Sequence, residues 1–158
     1  MAAHGGRAAA SSVFRNGADP RYQIAHLNDG AHGDGHAWIP ADDDPAPWMQ
    51  IELAGPSLID TLIFGRDDWS TGHLPDHQTP NRNGRSDRPM DQFSVQVSDD
   101  GRAWRPIHDN PACQGLQAGE NAVIRLSEPA RARCVRLAFQ PNTACVDEWE
   151  IYGVMSEQ

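Results

Sequence analysis

The sequence contains no lysine. Its 13 basic side chains are all arginine, set against 22 carboxylates, and the formal net charge is −9. A surface this acidic repels phosphate backbones and anionic headgroups, which argues against general nucleic-acid binding and against docking on anionic membranes. The missing lysine is a matter of composition, and no function follows from it. No apolar run approaches the ~20 residues that a bilayer-crossing helix needs. Residues 1–12 are small and polar and lack the apolar stretch of a signal peptide. The chain therefore reads either as an intracellular protein or as one module of a longer one. Cysteine is scarce: Cys113, Cys134 and Cys145 are the three. They cannot all pair internally, and a Cys113–Cys145 bridge is one arrangement among several. Without a Cys-x-x-Cys, neither a zinc knuckle nor a thioredoxin-type site is indicated. His-Glu-x-x-His, a Gly-x-Ser-x-Gly elbow and a glycine-rich phosphate loop are also absent, so nothing in the sequence marks an enzyme.

The apolar content of 39% and the charged content of 22% fit one folded domain. The 14 glycines and 12 prolines favour turns and short elements over long helices. Helical periodicity is hard to find, whereas period-2 alternation recurs. Met49, Ile51 and Leu53 alternate with Gln50 and Glu52. Phe93, Val95 and Val97 alternate with Ser94 and Gln96. Val135, Leu137 and Phe139 alternate with Arg136 and Ala138, and Trp149 and Ile151 with Glu148 and Glu150. Cys134 falls inside one of these patterns and reads as a buried thiol. Residues 122–126 read as a further short strand, and Asp99-Asp-Gly101 as the turn of a hairpin. Leu58 to Phe64 is almost continuously apolar, which predicts a strand covered on both faces. Trp38, Trp48, Trp104 and Trp149 lie in or beside strands and read as core or core-edge residues. Short strands with turn-rich connections predict an antiparallel all-β sandwich.

Two segments break the alternation. Asn28 to Asp44 is rich in Asp, Gly and His. Arg66 to Met90 exceeds the roughly 12–15 residues usual for a structureless connection, and combines Trp69 with His, Arg and Asp residues. Loops on a rigid sandwich are where binding groups are carried. The pairs His32/His36 and His73/His77 have the i, i+4 spacing of zinc ligands on a helix, but Gly33-Asp-Gly35 and Leu74-Pro-Asp76 are not helical, so that spacing carries no weight.

The motifs run in order: Ala10-Ser-Ser12, Leu27-Asn-Asp-Gly30, Trp38, Pro47-Trp-Met-Gln-Ile-Glu-Leu53, Ile63-Phe-Gly-Arg-Asp67, Phe93-Ser-Val-Gln-Val-Ser-Asp-Asp-Gly-Arg-Ala-Trp104, Ala132-Arg-Cys-Val-Arg-Leu137 and Asp147-Glu-Trp-Glu-Ile-Tyr-Gly153. Over roughly residues 8–153 the set resembles the coagulation factor V/VIII type C (discoidin) domain. That domain belongs to the galactose-binding-like superfamily, which includes many bacterial carbohydrate-binding modules. The resemblance implies a jelly-roll β-sandwich of about eight strands, with residues 1–7 and 154–158 as terminal extensions.

It also implies a structural calcium ion between the early loop and the last strand. Asp29 and Glu148 would supply side-chain oxygens, and His26, Ala31, His36 and Asp147 main-chain oxygens. Relatives often carry Ser or Thr where this chain has His36. The alternative is an Asx-type turn at Asp29 and a solvated Glu148. For a sugar, the candidates are Trp69 as a stacking platform, with Arg66, Asp67, His73, Asp76, Arg88 and Asn142 for the hydroxyls. The same residues have structural readings: Trp69 as a loop anchor, Arg66-Asp67 and Asp87-Arg88 as ion pairs, and Asn142 as a turn residue.

The leading expectation is a non-catalytic carbohydrate-binding module. It would tether a larger, extracytoplasmic bacterial protein to glycans and would contact neighbouring domains of that chain. The other is a discoidin-type protein-interaction or structural domain. Membrane binding ranks last, because lipid-binding relatives project apolar loop tips and these loops are Asp-, Asn- and Gly-rich.

Overall fold

The computed structural model describes residues 6–31, 36–65, 93–110, 121–141 and 144–155. Among these are six strands: β1 (Arg7–Ala10), β2 (Trp48–Gly65), β3 (Phe93–Ser98), β4 (Arg105–Asn110), β5 (Asn121–Phe139) and β6 (Trp149–Met155). Two short 3-10 turns, Phe14–Gly17 and Ile24–Asn28, precede β2. Every strand pairing is antiparallel. No helix among the described residues is long and apolar enough to cross a membrane.

The long strands β2 and β5 form the spine. In its first half, β2 lies between β1 and the end of β5, and β3 and then β4 follow on β5's other side. In its second half, β2 lies between the start of β5 and β6. The β2–β5 ladder is interrupted between Glu52 and Ser57, where the sequence is Leu53-Ala-Gly-Pro56. Proline has no N–H to give a ladder and glycine no side chain to pack, so both suit a break at which a strand turns from one layer to the other. The layers meet through aromatic rings. Phe64, in the second half of β2, packs edge-on against Phe93 of β3 at 5.3 Å between centroids, although these two segments share no ladder. Phe139 touches both Phe93 and Trp38. The architecture is the all-β sandwich that the alternation predicts.

The alternating residues point where the pattern puts them. Met49, Ile51, Leu53, Phe93, Val95, Val97, Val135, Leu137, Phe139, Trp149 and Ile151 are all buried, in one cluster with Leu27 and Trp38. Each such large side chain contributes about 1.5–3 kcal/mol on burial. The hairpin forms at Asp99–Gly101, with Gly101 at a φ of 73°. There the Asp100 carboxylate accepts the N–H groups of Ala103 and Arg102 and the Ser98 hydroxyl. Those bonds hold its pKa below the ordinary aspartate value. Cys134 is 4% exposed, and a Cβ at Gly101 would lie 3.7 Å from its sulfur. The thiol is therefore roofed by the hairpin turn, and burial pushes its pKa up.

Two expectations are corrected. The run Leu58–Phe64 is not covered on both faces: Leu58 is 39% exposed, and Asp60 is exposed as well. A register shift between Ile59 and Thr61 moves the inward set from Ser57 and Ile59 to Leu62 and Phe64. Both parities are therefore apolar although one face is buried at a time. Residues 122–126 are not a separate strand but the start of β5, which continues past Pro129. Trp38 and Trp149 are buried, and Trp48 and Trp104, half-buried at the core edge, clasp Arg136. Its guanidinium carbon sits 4.1 Å from one ring centroid and 3.8 Å from the other.

Candidate functional site

The early polar loop is built on a firm base. Leu27 is fully buried and anchors the 3-10 turn Ile24–Asn28. The Gln23 amide donates to the carbonyls of Gly17 and Asp19, and the Asn28 amide donates to the Gly6 carbonyl at 2.7 Å. Beyond the turn, Asp29 Oδ1 accepts the Ala31 N–H at 2.8 Å, the Asx-type turn that Asp-Gly predicts. Gly30 follows at a φ of 79°. A Cβ there would meet nothing within 4 Å, so glycine is favoured for its backbone conformation rather than for space.

The Gly30 N–H points across the chain and donates to Glu148 Oε2 at 3.0 Å. Glu148 is 6% exposed, which overturns the solvated alternative. Neighbouring backbone holds it there. Its N–H is accepted by Asp147 Oδ1 at 2.7 Å, and its carbonyl accepts the Gly65 N–H, while the Asp147 N–H donates back to Gly65. Trp38 and Val146 are bonded both ways through their backbones. The last residues before β6 thus bind the end of β2 on one side and the early loop on the other.

On the solvent side, two imidazoles stand over Asp29. The His26 and His36 ring centroids are 4.6 Å apart, and His36 Nδ1 is 3.4 Å from Asp29 Oδ2. His26 Nδ1 is 3.2 Å from the Arg21 carbonyl oxygen. One ligating atom from each of His26, Asp29 and His36 lies within 4.8 Å of the other two. Among the described residues this is the group of titratable side chains that converges as a metal site would; Glu148 stands outside it. Of the six positions expected around calcium, His26, Asp29 and His36 are gathered by their side chains, and Glu148 reaches the same loop through its bond from the Gly30 N–H. Ala31 and Asp147 add the backbone and carboxylate bonds described above. Sequence reasoning took His26 and His36 as main-chain donors and overlooked them as an imidazole pair. Their separation within a loop matches no period, so no signal marked them.

The far end of the loop is locked as well. Asp44 Oδ2 accepts the hydroxyls of Ser11 at 2.6 Å and Ser12 at 2.5 Å, and Oδ1 accepts the Ala46 N–H. Burial raises its pKa, but the three donors together outweigh that and the net shift is downward. Asp19 is held low chiefly by the Arg21 guanidinium, which bonds both its oxygens.

Arg66, Asp67, Trp69, His73, Asp76, Arg88 and Asn142 lie outside the described residues, as does Cys113. The flanks of the long polar segment are described. Gly65 at the end of β2 is bonded to Asp147 and Glu148, and Phe93 at the start of β3 packs on Phe64. Both flanks therefore sit at the end of the sandwich that carries Asp29, Gly30 and Glu148.

No family model matches the chain. Among solved structures it is similar to the module CpGH89CBM32-5 from Clostridium perfringens, in complex with GalNAc-β-1,3-galactose. That match has 15% identity and a TM-score of 0.72, over 97% of this chain and all of that one. The chain shares the β-sandwich fold of that module. Chitosan-binding module 1 from a chitosanase/glucanase of Paenibacillus sp. IK-5 matches at 18% identity and a TM-score of 0.67, over 96% of this chain and 97% of that one. The C-terminal domain of a chitobiase from Bacteroides fragilis matches at 13% identity and a TM-score of 0.72, over 99% of each chain. At these identities the likeness is one of fold. It extends over nearly the full length of each of these chains.

Proposed function

We propose that this chain is a non-catalytic carbohydrate-binding module that tethers a larger protein to glycans. The observation that carries the reading is end-to-end correspondence with modules named for binding chitosan or solved with a disaccharide. Two features support it. The described flanks of the long polar segment and the Asp29–Gly30 turn lie at one end of the sandwich, and loops on a rigid scaffold are where binding groups are carried. The acidic, arginine-only charge also disfavours nucleic acid and anionic lipid as rivals. In this reading Trp69 stacks on the apolar face of a sugar ring, and Arg66, Asp67, His73, Asp76, Arg88 and Asn142 bond its hydroxyls. Neighbouring domains of an extracytoplasmic protein gain effective concentration at the glycan, with no bond broken in the module. A single shallow site of this kind gives millimolar to micromolar affinity, about −4 to −8 kcal/mol.

A structural calcium ion completes the proposal. Asp29 and Glu148 supply carboxylate oxygens, and His26, Ala31, His36 and Asp147 supply carbonyls. The donor chemistry fits: both carboxylates are on hand, joined through Gly30, and Ca²⁺ takes six to eight oxygens from such turns. When bound, the ion would tie two chain-distant loops and stabilise the fold by linkage.

The test is a glycan array probed with the wild type and with Trp69→Ala. Binding to a defined glycan set that is lost in the variant supports the module. Absence of binding at high protein concentration overturns it.

A further inference from the structure

We infer that the side chains of His26, His36 and Asp29 form a site for a borderline divalent cation of the zinc class, distinct in donor chemistry from the oxygen-lined calcium site proposed above. The two sites share Asp29, so the inference deepens the reading of this loop as a cation site.

Four observations carry it. First, the converging atoms are two imidazole nitrogens and one carboxylate oxygen. Imidazole suits zinc, nickel and cobalt, whereas calcium takes oxygen. Second, the tautomer of His26 is assigned by its partner. The Arg21 carbonyl oxygen, 3.2 Å from Nδ1, can only accept, so a neutral ring bonded there donates from Nδ1 and presents Nε2 as its acceptor nitrogen. A ligating histidine typically has its other ring nitrogen held by a backbone carbonyl in this way. Third, the spacing fits. Four ligands at 2.0–2.1 Å around a tetrahedral ion lie about 3.3–3.4 Å apart, and His36 Nδ1 to Asp29 Oδ2 is 3.4 Å. An ion between the two atoms would replace that contact. Fourth, the side chains that must move are the more exposed ones. The side chain of His36 is 48% exposed and that of Asp29 30%, so the separations of up to 4.8 Å can close by rotation of surface side chains. His26 stays on the 3-10 turn that the buried Leu27 anchors. Three protein ligands leave the fourth position of a tetrahedral ion open to water or to an incoming oxygen donor.

The test titrates metal-stripped full-length protein with ZnSO₄ and, in a parallel arm, with CaCl₂, following heat and thermal midpoint. Co²⁺ serves as a spectroscopic probe of imidazole ligation. The expected result is saturable zinc binding with a raised midpoint and a visible Co²⁺ spectrum. His26→Ala and His36→Ala should each weaken zinc tenfold or more while leaving the calcium response within twofold. Asp29→Ala should weaken both. No zinc binding in the wild type, or zinc and Co²⁺ signals that persist in the His26→Ala/His36→Ala double variant, would overturn the inference. The calcium arm stands or falls by its own titration: a calcium response without a zinc response rejects this site and leaves the oxygen-lined one in place.

Discussion

Asp44 closes the loop that carries the candidate site, and its removal tests how that loop is held. Its carboxylate collects three donors, the hydroxyls of Ser11 and Ser12 and the Ala46 N–H. The serines are themselves engaged: Ser11 Oγ accepts the Trp48 N–H, and Ser12 Oγ accepts the Ala41 N–H. Asp44→Ala therefore leaves two hydroxyl protons and one amide without their acceptor at a half-buried position. Bonds to a charged acceptor are worth about 1.5–3 kcal/mol each, but members of one network do not add. Water reaches part of this site, so a total of about 2–3 kcal/mol is expected. For a domain of this size that is a fall in Tm of roughly 4–12 °C. The carboxyl pKa is lowered in the folded protein. The stabilisation is therefore complete above the ordinary aspartate value of 3.8 and is lost as pH falls below it through the folded-state value. Asp44→Asn should flatten that acid limb, and the wild type and variant curves should converge at the acid end. Urea unfolding from neutral pH down to about pH 3 reads both effects. A loss for Asp44→Ala below about 0.5 kcal/mol, or an undiminished acid limb in Asp44→Asn, would refute the network as a source of stability.

Substitutions at three further positions separate physical causes elsewhere in the fold. Gly30→Ala meets no neighbour and should cost only the left-handed backbone, about 1–2 kcal/mol. Gly153→Ala drives a Cβ into the Leu58 carbonyl and to within 2.7 Å of the Ile59 Cα, so it should cost about 3 kcal/mol or more and part β6 from β2; equal Tm losses for the two would contradict this. Arg136→Ala removes the guanidinium clasped by Trp48 and Trp104, for an expected loss of about 1–3 kcal/mol and a red shift in tryptophan emission. Arg136→Lys should recover only part, since an ammonium cannot lie flat between two rings; full recovery would show that charge rather than stacking holds the clasp.

Local chemistry made the sandwich legible. A strand exposes alternate residues to alternate faces, so Met49-Gln-Ile-Glu-Leu53 and Phe93-Ser-Val-Gln-Val97 state their inward sets without reference to any partner. Asp99-Asp-Gly101 announces its turn because glycine adopts the left-handed conformation without strain. Asp29-Gly30 announces its Asx turn in the same way. These are short-range properties, carried by residues a few positions apart.

The rest depended on which distant segments meet. The apolar run from Leu58 to Phe64 hid a register shift that only pairing with β5 and β6 reveals. Glu148 has the composition of a solvated residue, and its burial comes from the Gly30 and Gly65 backbones reaching it from far along the chain. Trp48 and Trp104 lie at the core edge, and only β5 brings Arg136 between them. His26 and His36 converge because the loop folds back over Asp29, a closure that follows no period. The sequence alone determined the strands, the turns and the polar character of one end of the molecule, because those follow from each residue's own geometry and polarity. The tertiary structure decided which carboxylates are buried, which rings stack and which ligands converge, because proximity between residues far apart in sequence is a property of packing.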